Sequence, residues 1–372
     1  MGDSFPKFKA AAVQAASVYL DREKSLEKTV ALVEEAASEG ATLVVLPESF
    51  IPGYPYFVWL GTPVTRPEQH QRLFRQWFLN AVEIPSATTD VLCAAARKHD
   101  TYVVVGVNER DGNTCYNTLL FIDRRGSILG KHRKLMPTHA ERSVWGMGDG
   151  SDLVVFDTDV GKLSGLLCWE HTMNLTRHAL YTMGEQVHCA AWAGGSALRG
   201  WEELFNEGTE IAARYHAHVG ACFVINVQNT CDEATKQILC ETAEQKESLR
   251  VGGGWTAIIA PGGEIMAGPL KDKEGILYAD LDLDLIVDWA QFHDGVGHYA
   301  RNDVVSLLIN REKYSAAKEV DAQDARSVGG ASLEALEGRF QSLKAKIEEG
   351  ENEELKKLAQ ELEAELSMAG AL

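Results

Sequence analysis

Three short stretches place reactive side chains directly after apolar runs that are typical of buried strands. The first, LPESF, contains Glu48. The second, GKHRKLMPTHAER, is a cationic cluster that contains Lys134 and Glu141. The third, GLLCWEH, contains Cys168. A thiol, an ammonium and two carboxylates at strand ends are groups from which nucleophilic catalysis can be built.

Cys168 follows an apolar strand and precedes a predicted helix, which is the position of a nucleophile on a sharp strand-to-helix turn. Such a turn exposes the side chain and offers backbone N–H groups to a developing anion. A single cysteine is also a common small core residue, and we interpret the other six in that way, with two of them (Cys231 and Cys240) as alternative surface thiols. These six are Cys93, Cys115, Cys189, Cys222, Cys231 and Cys240.

Each charged residue has a structural interpretation beside the chemical one. A carboxylate such as Glu48 at the edge of a buried strand caps a helix or joins an ion pair as readily as it accepts a proton. Lys131 and Arg133 in the second stretch fit a solvated run of charge or an exposed phosphate contact. The three stretches together are therefore far more specific than any one of them.

The elements that must position these residues follow an alternating pattern of strands and helices. The predicted strands cover residues 8–14, 42–46, 102–107, 119–122, 163–167, 187–191, 222–227 and 255–259. The predicted helices cover residues 21–39, 89–98, 173–183 and 201–219. Continuous apolar strands are typical of sheets covered on both faces. The pattern predicts a layered α/β protein with helices outside a sheet.

Two irregular segments interrupt this pattern. Residues 51–70 carry prolines and aromatic side chains, and long ordered loops of this kind are more often functional than accidental. The glycine run at residues 252–254 lacks the Gly-Lys-Ser/Thr ending of a phosphate-binding loop. It therefore predicts a tight turn before the next strand.

Composition excludes several classes of partner. Of 372 residues, 36 are Lys or Arg and 54 are Asp or Glu, so the net charge is −18. This balance argues against nucleic-acid and anionic-membrane binding, which need clustered cations. No apolar run is long enough to span a membrane, and the first residues lack the apolar segment of a signal peptide. With seven cysteines in no regular framework, we expect a cytoplasmic globular protein.

The end of the chain differs in character from the rest. Residues 331–372 contain ten Glu against five Lys or Arg, and apolar residues recur there at heptad spacing. The stripe consists of Leu333, Leu336, Phe340, Leu343, Ile347, Leu355, Leu358, Leu362 and Leu366. We divide the chain into a main domain, residues 1–312, and a helical C-terminal tail, residues 313–372. The tail either packs on its own domain or mediates self-association.

Together the three stretches resemble the nitrilase superfamily of carbon–nitrogen hydrolases over about residues 6–312. Glu48 corresponds to the family glutamate in Leu-Pro-Glu, and Lys134 to the lysine in Arg-Lys-Leu-Met-Pro-Thr. Cys168 corresponds to the nucleophile and Glu141 to a second glutamate near the active site. The letters CWEH, with IPGYPY, WGMGDGS, EQVH and GHY elsewhere, are similar to the nitrilase branch.

This resemblance implies a four-layer α-β-β-α sandwich that hydrolyses a nitrile to a carboxylic acid and ammonia. Cys168 would attack the nitrile to give a thioimidate, which water converts to a thioester and then to the acid. Glu48 would be the base, and Lys134 with the Trp169 backbone N–H would stabilise the developing anion. Glu141 would position Lys134 or the water, or form a structural ion pair.

Aromatic residues next to the catalytic stretches are candidates for the substrate pocket. They are Tyr54, Trp59, Trp145, Trp169 and Trp192, and the alternative is that part of this set belongs to the core. An aromatic lining favours aromatic, arylaliphatic or longer aliphatic nitriles over free cyanide. The resemblance further implies that Trp145 helps to select substrate size.

The expected partners are a small nitrile and water, and no cofactor is expected. No His-Glu-x-x-His pattern is present, and His216 and His218 lie on different sides of a predicted helix, so no metal site is predicted. The resemblance implies a homo-oligomer, a dimer or a larger assembly such as a spiral or filament. A cyanide-hydrating or amide-cleaving relative is the alternative enzyme, and a catalytically silent binding module is the alternative without activity.

Overall fold

The computed structural model describes residues 5–314, 337–338, 340–342, 344–345 and 353–368. Contacts divide the chain into one unit, Met1–Lys313, and a second unit, Tyr314–Leu372. Among the described residues, no helix has both the length and the apolar character needed to cross a membrane.

The described part of the first unit contains twelve strands and eight α-helices. Its strands are β1 (Lys7–Gln14), β2 (Leu43–Val45), β3 (Tyr102–Asp111), β4 (Thr114–Ile122), β5 (Ile128–Arg133), β6 (Phe156–Thr158), β7 (Gly161–Leu167), β8 (Val187–Trp192), β9 (Phe223–Gln228), β10 (Thr256–Ile259), β11 (Ile265–Leu270) and β12 (Gly275–Asp282). Its α-helices are α1 (Arg22–Ser38), α2 (Pro67–Leu79), α3 (Ala87–His99), α4 (Asn174–Thr182), α5 (Glu202–Gly220), α6 (Glu233–Leu239), α7 (Ala243–Ser248) and α8 (Asp284–Ala290).

The strands form two mixed six-stranded sheets. The first has the order β12-β1-β2-β3-β4-β5, and the second has the order β11-β10-β9-β8-β7-β6. The central strands pair in parallel, β1 with β2 and β2 with β3 in one sheet, β7 with β8 and β8 with β9 in the other. Antiparallel strands complete both sheets on either side.

Alternation along the strands produces three apolar layers. One face of each sheet packs against the other sheet, through side chains such as Leu43 and Phe121 on one side and Leu163 and Ile225 on the other. The outer face of the first sheet packs against α1 and α3, and that of the second against α5. The result is an α-β-β-α sandwich, so the four-layer fold is confirmed.

Local signals explain where the first helix begins and ends. The side chain of Asp21 accepts a hydrogen bond from the backbone N–H of Lys24, which caps the first turn of α1. Gly40 follows the helix with a φ of +87°, a conformation that glycine adopts without strain. The predicted helices agree with α1, α3, α4 and α5 to within two residues at each end.

The two irregular segments predicted from the sequence, residues 51–70 and 252–254, have different local structures. Residues 51–60 are a buried stretch of loop with one turn of 3-10 helix, Tyr56–Val58, whereas residues 62–65 are exposed and the last residues of the segment already belong to α2. At residues 252–254 the structure shows no hydrogen-bonded turn, but all three glycines have φ between +88° and +103°, a conformation that favours glycine. The N–H groups of Gly253 and Gly254 bind the side chains of Asp272 and Ser196.

The second unit contains helix α9 (Glu353–Met368) and a small apolar cluster. Phe340, Ala359, Leu362 and Leu366 are buried together, whereas Leu358 is half exposed. Three positions of the predicted stripe therefore lie in one cluster. The side chains of Leu333, Leu336, Leu343, Ile347 and Leu355 lie outside the described part of the chain.

Candidate active site

Glu48 follows β2 at the carboxyl end of the first sheet, and its side chain is fully buried. Its Oε1 accepts hydrogen bonds from Lys134 Nζ at 2.8 Å and from Asn117 Nδ2. The backbone of β3 passes so close that a Cβ at Gly106 would lie 2.6 Å from the Cα of Glu48, so only glycine fits there. Burial raises the pKa of Glu48 to about 7, although the Lys134 charge opposes this shift.

Lys134 directly follows β5, and its side chain is also fully buried. Its Nζ donates to Glu48 Oε1 at 2.8 Å and to Glu141 Oε2 at 2.9 Å. Burial alone would lower the pKa of Lys134, but the charges of Glu141 and Glu48 raise it well above its ordinary value. Lys134 is therefore a stable cation between two carboxylates.

Glu141 lies in a 3-10 helix, His139–Ser143, and links Lys134 to Tyr54 in the loop that begins at residue 51. Its Oε2 accepts the backbone N–H of Thr138 at 2.7 Å in addition to the lysine. Its Oε1 accepts the hydroxyl of Tyr54 at 2.7 Å, and Trp59 Nε1 donates to that same hydroxyl at 2.9 Å. Every oxygen of this carboxylate is thus held in place.

Cys168 follows β7 as the first residue of a 3-10 helix, Cys168–Thr172. Its φ of +53° is left-handed, a conformation that costs a residue with a Cβ about 1–2 kcal/mol. The sharp strand-to-helix turn predicted at this cysteine is therefore present. Burial raises the pKa of the thiol well above its ordinary value, the Glu48 charge adds to this, and Lys134 opposes it. The resting sulfur is a thiol that needs a base.

The second oxygen of Glu48 supplies an acceptor. Glu48 Oε2 is buried and has no hydrogen-bond partner among the described residues. A buried carboxylate oxygen without a partner is costly and is open to a proton from a thiol, a water or a ligand. Because the pKa of Glu48 is about 7, this carboxyl group can take up and return a proton near neutral pH.

Glu170, which the sequence motifs did not single out, connects the segments that carry the lysine and the cysteine. Its Oε1 accepts the backbone N–H of Leu135 at 2.7 Å, and its Oε2 accepts the backbone N–H of Leu167 at 2.8 Å. His132 Nε2 lies 3.0 Å from the same carboxylate. Burial would raise the pKa of Glu170, but His132 and the two N–H groups lower it. The Glu170 carboxylate, which joins the two segments, therefore stays ionised.

A narrow cavity lies against Cys168 and Glu141. Three of the predicted aromatic residues line it, Tyr54, Trp59 and Trp169. Two further aromatic residues that the sequence reasoning missed, Trp201 and Phe205, complete the aromatic part of the lining. Both belong to the start of a predicted helix far along the chain from the motifs, so no local signal marked them.

Trp145 and Trp192 lie behind this lining. Trp145 packs on the ring of Tyr54 at a centroid distance of 5.8 Å, and its Nε1 donates to Asn108 Oδ1 at 2.8 Å. Trp192 is fully buried and stacks on His171 at 4.8 Å. The structure therefore places these two residues one layer away from the cavity.

A second buried cluster of titratable groups lies around β8. Ligand atoms of Glu185, His188 and His216 all lie within 4.8 Å of one another, which makes these three a set among the described residues that could hold a metal ion. No metal motif marked them, because His216 is brought in by α5 from a distant part of the sequence. His218 is exposed, so the two histidines of that helix do face different sides.

In this two-sheet α/β fold the Cys168 thiol and the Glu141 carboxylate line one cavity, and Glu141 is bonded to the buried Lys134–Glu48 pair. The chain belongs to the carbon–nitrogen hydrolase family, which its residues 9–291 match.

Named relatives and solved structures agree with this assignment. The chain is 42% identical to an aliphatic nitrilase from Rhodococcus rhodochrous, over 82% of this chain and 83% of the relative. It is 40% identical to a nitrilase from Bacillus sp. (strain OxB-1), over 85% and 92%. A bifunctional nitrilase/nitrile hydratase from Nicotiana tabacum is 39% identical, over 83% and 88%. A carbon–nitrogen hydrolase from Helicobacter pylori G27 shares the fold with a TM-score of 0.63 at 22% identity, over 80% and 97%.

Proposed function

We propose that this protein is a nitrilase, which hydrolyses an organic nitrile to a carboxylic acid and ammonia. In this proposal Cys168 is the nucleophile, Glu48 the general base, Lys134 the stabilising cation and Glu141 the residue that positions Lys134. The observation that carries the proposal is the Lys134 ammonium, held 2.8 Å from Glu48 and 2.9 Å from Glu141, whose charges all act on the buried thiol. The two nitrilases at 42% and 40% identity support a nitrile as the substrate.

The first half of the reaction forms a bond between sulfur and carbon. Cys168 Sγ attacks the nitrile carbon while the thiol proton passes to Glu48 Oε2, the oxygen with no other partner among the described residues. One electron pair of the C–N triple bond moves to nitrogen, where Lys134 and the backbone N–H of Trp169 stabilise the charge. Glu48 then gives the thiol proton to this nitrogen, which yields a thioimidate and leaves Glu48 as a carboxylate.

The second half consumes two water molecules. The first water adds to the thioimidate carbon, and the C–N bond breaks to release ammonia and leave a thioester. Glu48 then takes a proton from the second water, which attacks the thioester carbon. The C–S bond breaks, the sulfur regains its proton, and the carboxylic acid leaves. Base catalysis of this kind contributes about 10² to 10⁴ in rate.

We further propose that the preferred nitriles are aromatic, arylaliphatic or longer aliphatic compounds. The cavity beside Cys168 is lined by aromatic rings, Tyr54, Trp59, Trp169, Trp201 and Phe205. Rings of this kind stabilise an apolar substrate by burial and offer little to free cyanide.

A panel of nitriles and cyanide, assayed for ammonia with every product identified, tests this function. Acid and ammonia in equal amounts support it, and formamide from cyanide would favour the cyanide-hydrating alternative. Amide is measured as well, since one relative is a bifunctional nitrilase/nitrile hydratase. The Cys168→Ala variant should keep the wild-type circular dichroism spectrum and release no ammonia. Ammonia from that variant would contradict the covalent mechanism.

We also propose that the protein forms a homo-oligomer of at least two copies. Helix α5 presents Leu204, Ile211 and Tyr215 to solvent, each more than half exposed, and exposed apolar surface of this kind marks association sites. Light scattering after size exclusion should give at least twice the mass of one chain. An Ile211→Glu variant should lower that mass, and a monomeric wild type would contradict the proposal.

A cytoplasmic location is the last part of the proposal. All seven cysteines are free thiols, and six of them are buried. Free thiols persist in the reducing cytoplasm, whereas oxidising compartments favour disulfides. Fractionation of cells that produce the tagged protein tests this location.

A further inference from the structure

Four buried polar side chains form a hydrogen-bonded array that ends on the backbone of Cys168. The array runs through Ser164, Glu185, His188 and His171, which are at most 4% exposed. His171 Nδ1 lies 2.7 Å from the carbonyl oxygen of Cys168, and His171 Nε2 lies 2.9 Å from His188 Nε2. His188 Nδ1 lies 2.9 Å from Glu185 Oε2, which also accepts a hydrogen bond from Ser164 Oγ. None of these side chains lines the cavity.

The hydrogen bonds determine where the protons lie. A carbonyl oxygen only accepts, so His171 Nδ1 carries a hydrogen. The two facing Nε2 atoms share one hydrogen, because two lone pairs or two N–H groups would repel. The Glu185 carboxylate accepts as well, so His188 Nδ1 carries a hydrogen. The two rings therefore hold one proton more than two neutral imidazoles.

The Glu185 carboxylate balances this extra charge. Burial would raise the pKa of Glu185, but His216 and His188 hold it well below its ordinary range. Burial and the charges of His188 and His216 lower the pKa of His171 well below its ordinary value, so His171 is a neutral ring. The other titratable groups packed around the array include Arg177, Tyr181, Cys189, His216 and Cys222.

Shared hydrogens fit this geometry better than a bound metal does. The Glu185 oxygens lie 2.9 Å from His188 Nδ1 and 2.6 Å from His216 Nε2, which are hydrogen-bond distances. Two ligand atoms on a tetrahedral zinc ion would lie about 3.3 Å apart. The second nitrogen of His188 is already bound to His171. The ring of His171 is further fixed by stacking on Trp192, at 4.8 Å and an angle of 18°.

The array acts on the peptide that joins Cys168 to Trp169. A peptide unit is planar, and its C=O and N–H point in opposite directions. A hydrogen bond that fixes the Cys168 carbonyl on one side therefore fixes the Trp169 N–H on the other. The left-handed φ of Cys168, +53°, persists only because neighbouring groups hold it.

We propose that His171, His188 and Glu185 are positioning residues, which orient and polarise the Cys168–Trp169 peptide so that its N–H donates to the anion formed on the substrate. This inference rests on the proposed function, in which Cys168 is the nucleophile. Because the array touches the carbonyl and not the sulfur, it governs stabilisation of the anion and leaves the reactivity of the thiol unchanged.

Three variants test the array by steady-state kinetics on the best nitrile of the panel. His171→Phe keeps a ring to stack on Trp192 but removes the donor, so kcat should fall about 10²-fold, with KM within about threefold. His171→Asn places an amide N–H where the Nδ1–H of His171 was. Its kcat should therefore be at least about tenfold higher than that of His171→Phe. His70→Phe, at another buried histidine outside the array, should leave both constants within about threefold.

Alkylation of Cys168 by iodoacetamide separates an effect on the anion from an effect on the thiol. This reaction forms no oxyanion, so its rate in folded His171→Phe should stay within about threefold of wild type. An equal loss in alkylation and turnover would overturn the proposal, as would a His171→Phe enzyme with wild-type kcat. Metal bound one per chain, with loss of activity on chelation, would also overturn it.

The tautomer of His171 provides a test that is independent of nitrile turnover. Two-bond nitrogen–proton spectra of enzyme labelled with ¹⁵N-histidine should show a ring protonated at Nδ1, assigned by its absence in His171→Asn. A ring protonated only at Nε2 would overturn the proposal. If the wild type shows the expected tautomer and yet hydrolyses no nitrile, the proposed function fails while the array stands.

Discussion

Glu48, Lys134 and Glu141 together carry two negative charges and one positive charge, and all three side chains are buried. An uncompensated buried charge is expensive, so one carboxyl group of this cluster takes up a proton more readily than a carboxyl group in water does. Both oxygens of Glu141 accept hydrogen bonds, whereas Glu48 Oε2 has no partner among the described residues, so Glu48 is the group with room for that proton. The residue that must accept the thiol proton is thus the residue whose pKa lies near 7.

Removal of the cation should abolish the first chemical step. In Lys134→Met the apolar stem remains, but Glu48 and Glu141 face each other without a positive charge, and the anion on nitrogen is not stabilised. We expect kcat/KM to fall about 10³-fold or more, with no covalent adduct of Cys168 in the intact mass spectrum. Lys131→Met is the matched control, since Lys131 pairs with Glu109 outside this cluster. An adduct that accumulates in Lys134→Met would show that Lys134 acts only in deacylation.

The raised pKa of Glu48 predicts the acid limb of the pH profile. Only the carboxylate form accepts the thiol proton, so kcat/KM should fall tenfold per pH unit below about 7. The folded protein also binds this proton more tightly than the unfolded chain, whose pKa is 4.5. The stability of the wild type relative to Glu48→Gln should therefore decrease as the pH rises from 4.5 to about 7. An acid limb near 4.5 would contradict the assignment of Glu48 as the base.

The sequence identified these residues because their motifs are local and the chemistry is specific to residue type. Glu48, Lys134, Glu141 and Cys168 were selected together, and the first three are linked by hydrogen bonds in the structure. Glu170 lies two residues after the cysteine in the same motif, yet nothing local shows which N–H groups a carboxylate will bind. Its partners are fixed only by the packing of two sheets.

At the scale of elements, Glu170 connects segments that the topology alone would leave independent. Leu135 follows β5, the edge strand of the first sheet, and Leu167 ends β7 of the second sheet. One carboxylate therefore fixes the spacing between the lysine and the cysteine across the sandwich. Loops alone would not hold two sheets at this precision.

A Glu170→Gln variant tests whether the Glu170 carboxylate holds these two segments together. The amide keeps one acceptor oxygen but presents an NH₂ group to a backbone N–H, and His132 loses its charged partner. We expect the free energy of unfolding to fall by about 3 kcal/mol and kcat to fall with it. Glu203→Gln, on the exposed side of α5, should change stability by less than about 0.5 kcal/mol. Equal denaturation midpoints for Glu170→Gln and wild type would contradict this role of Glu170.

The strands that the sequence did not predict share one property. β5, β6, β11 and β12 were not delimited, and these four are the edge strands of the two sheets. Their side chains are largely half-buried or exposed, so they lack the continuous apolar run that marks the central strands. The short helices α6 and α7 were not predicted either, because a helix of one or two turns is too short to show a recognisable repeat of apolar residues.

At the scale of the whole molecule, every residue of the candidate site belongs to the unit Met1–Lys313. The net charge of −18 is shared between the two units, because residues 331–372 contain ten Glu against five Lys or Arg. The acidity of the chain therefore says little about the site, whose chemistry depends on one buried cation, Lys134.

The contacts made by the last residues of the first unit predict where the chain can be truncated without loss of stability. Leu307 and Ile309 pack against Leu153, Leu166 and Leu180, and Arg311 donates to the carbonyl oxygen of Leu153. A chain that ends at Lys313 should keep its melting temperature and hold kcat/KM within about twofold of the full chain, since it keeps these contacts. A chain that ends at residue 306 is the matched control and should lose about 2 kcal/mol of stability. Loss of activity in the longer variant, with its fold and oligomeric mass unchanged, would show that the second unit takes part in the reaction.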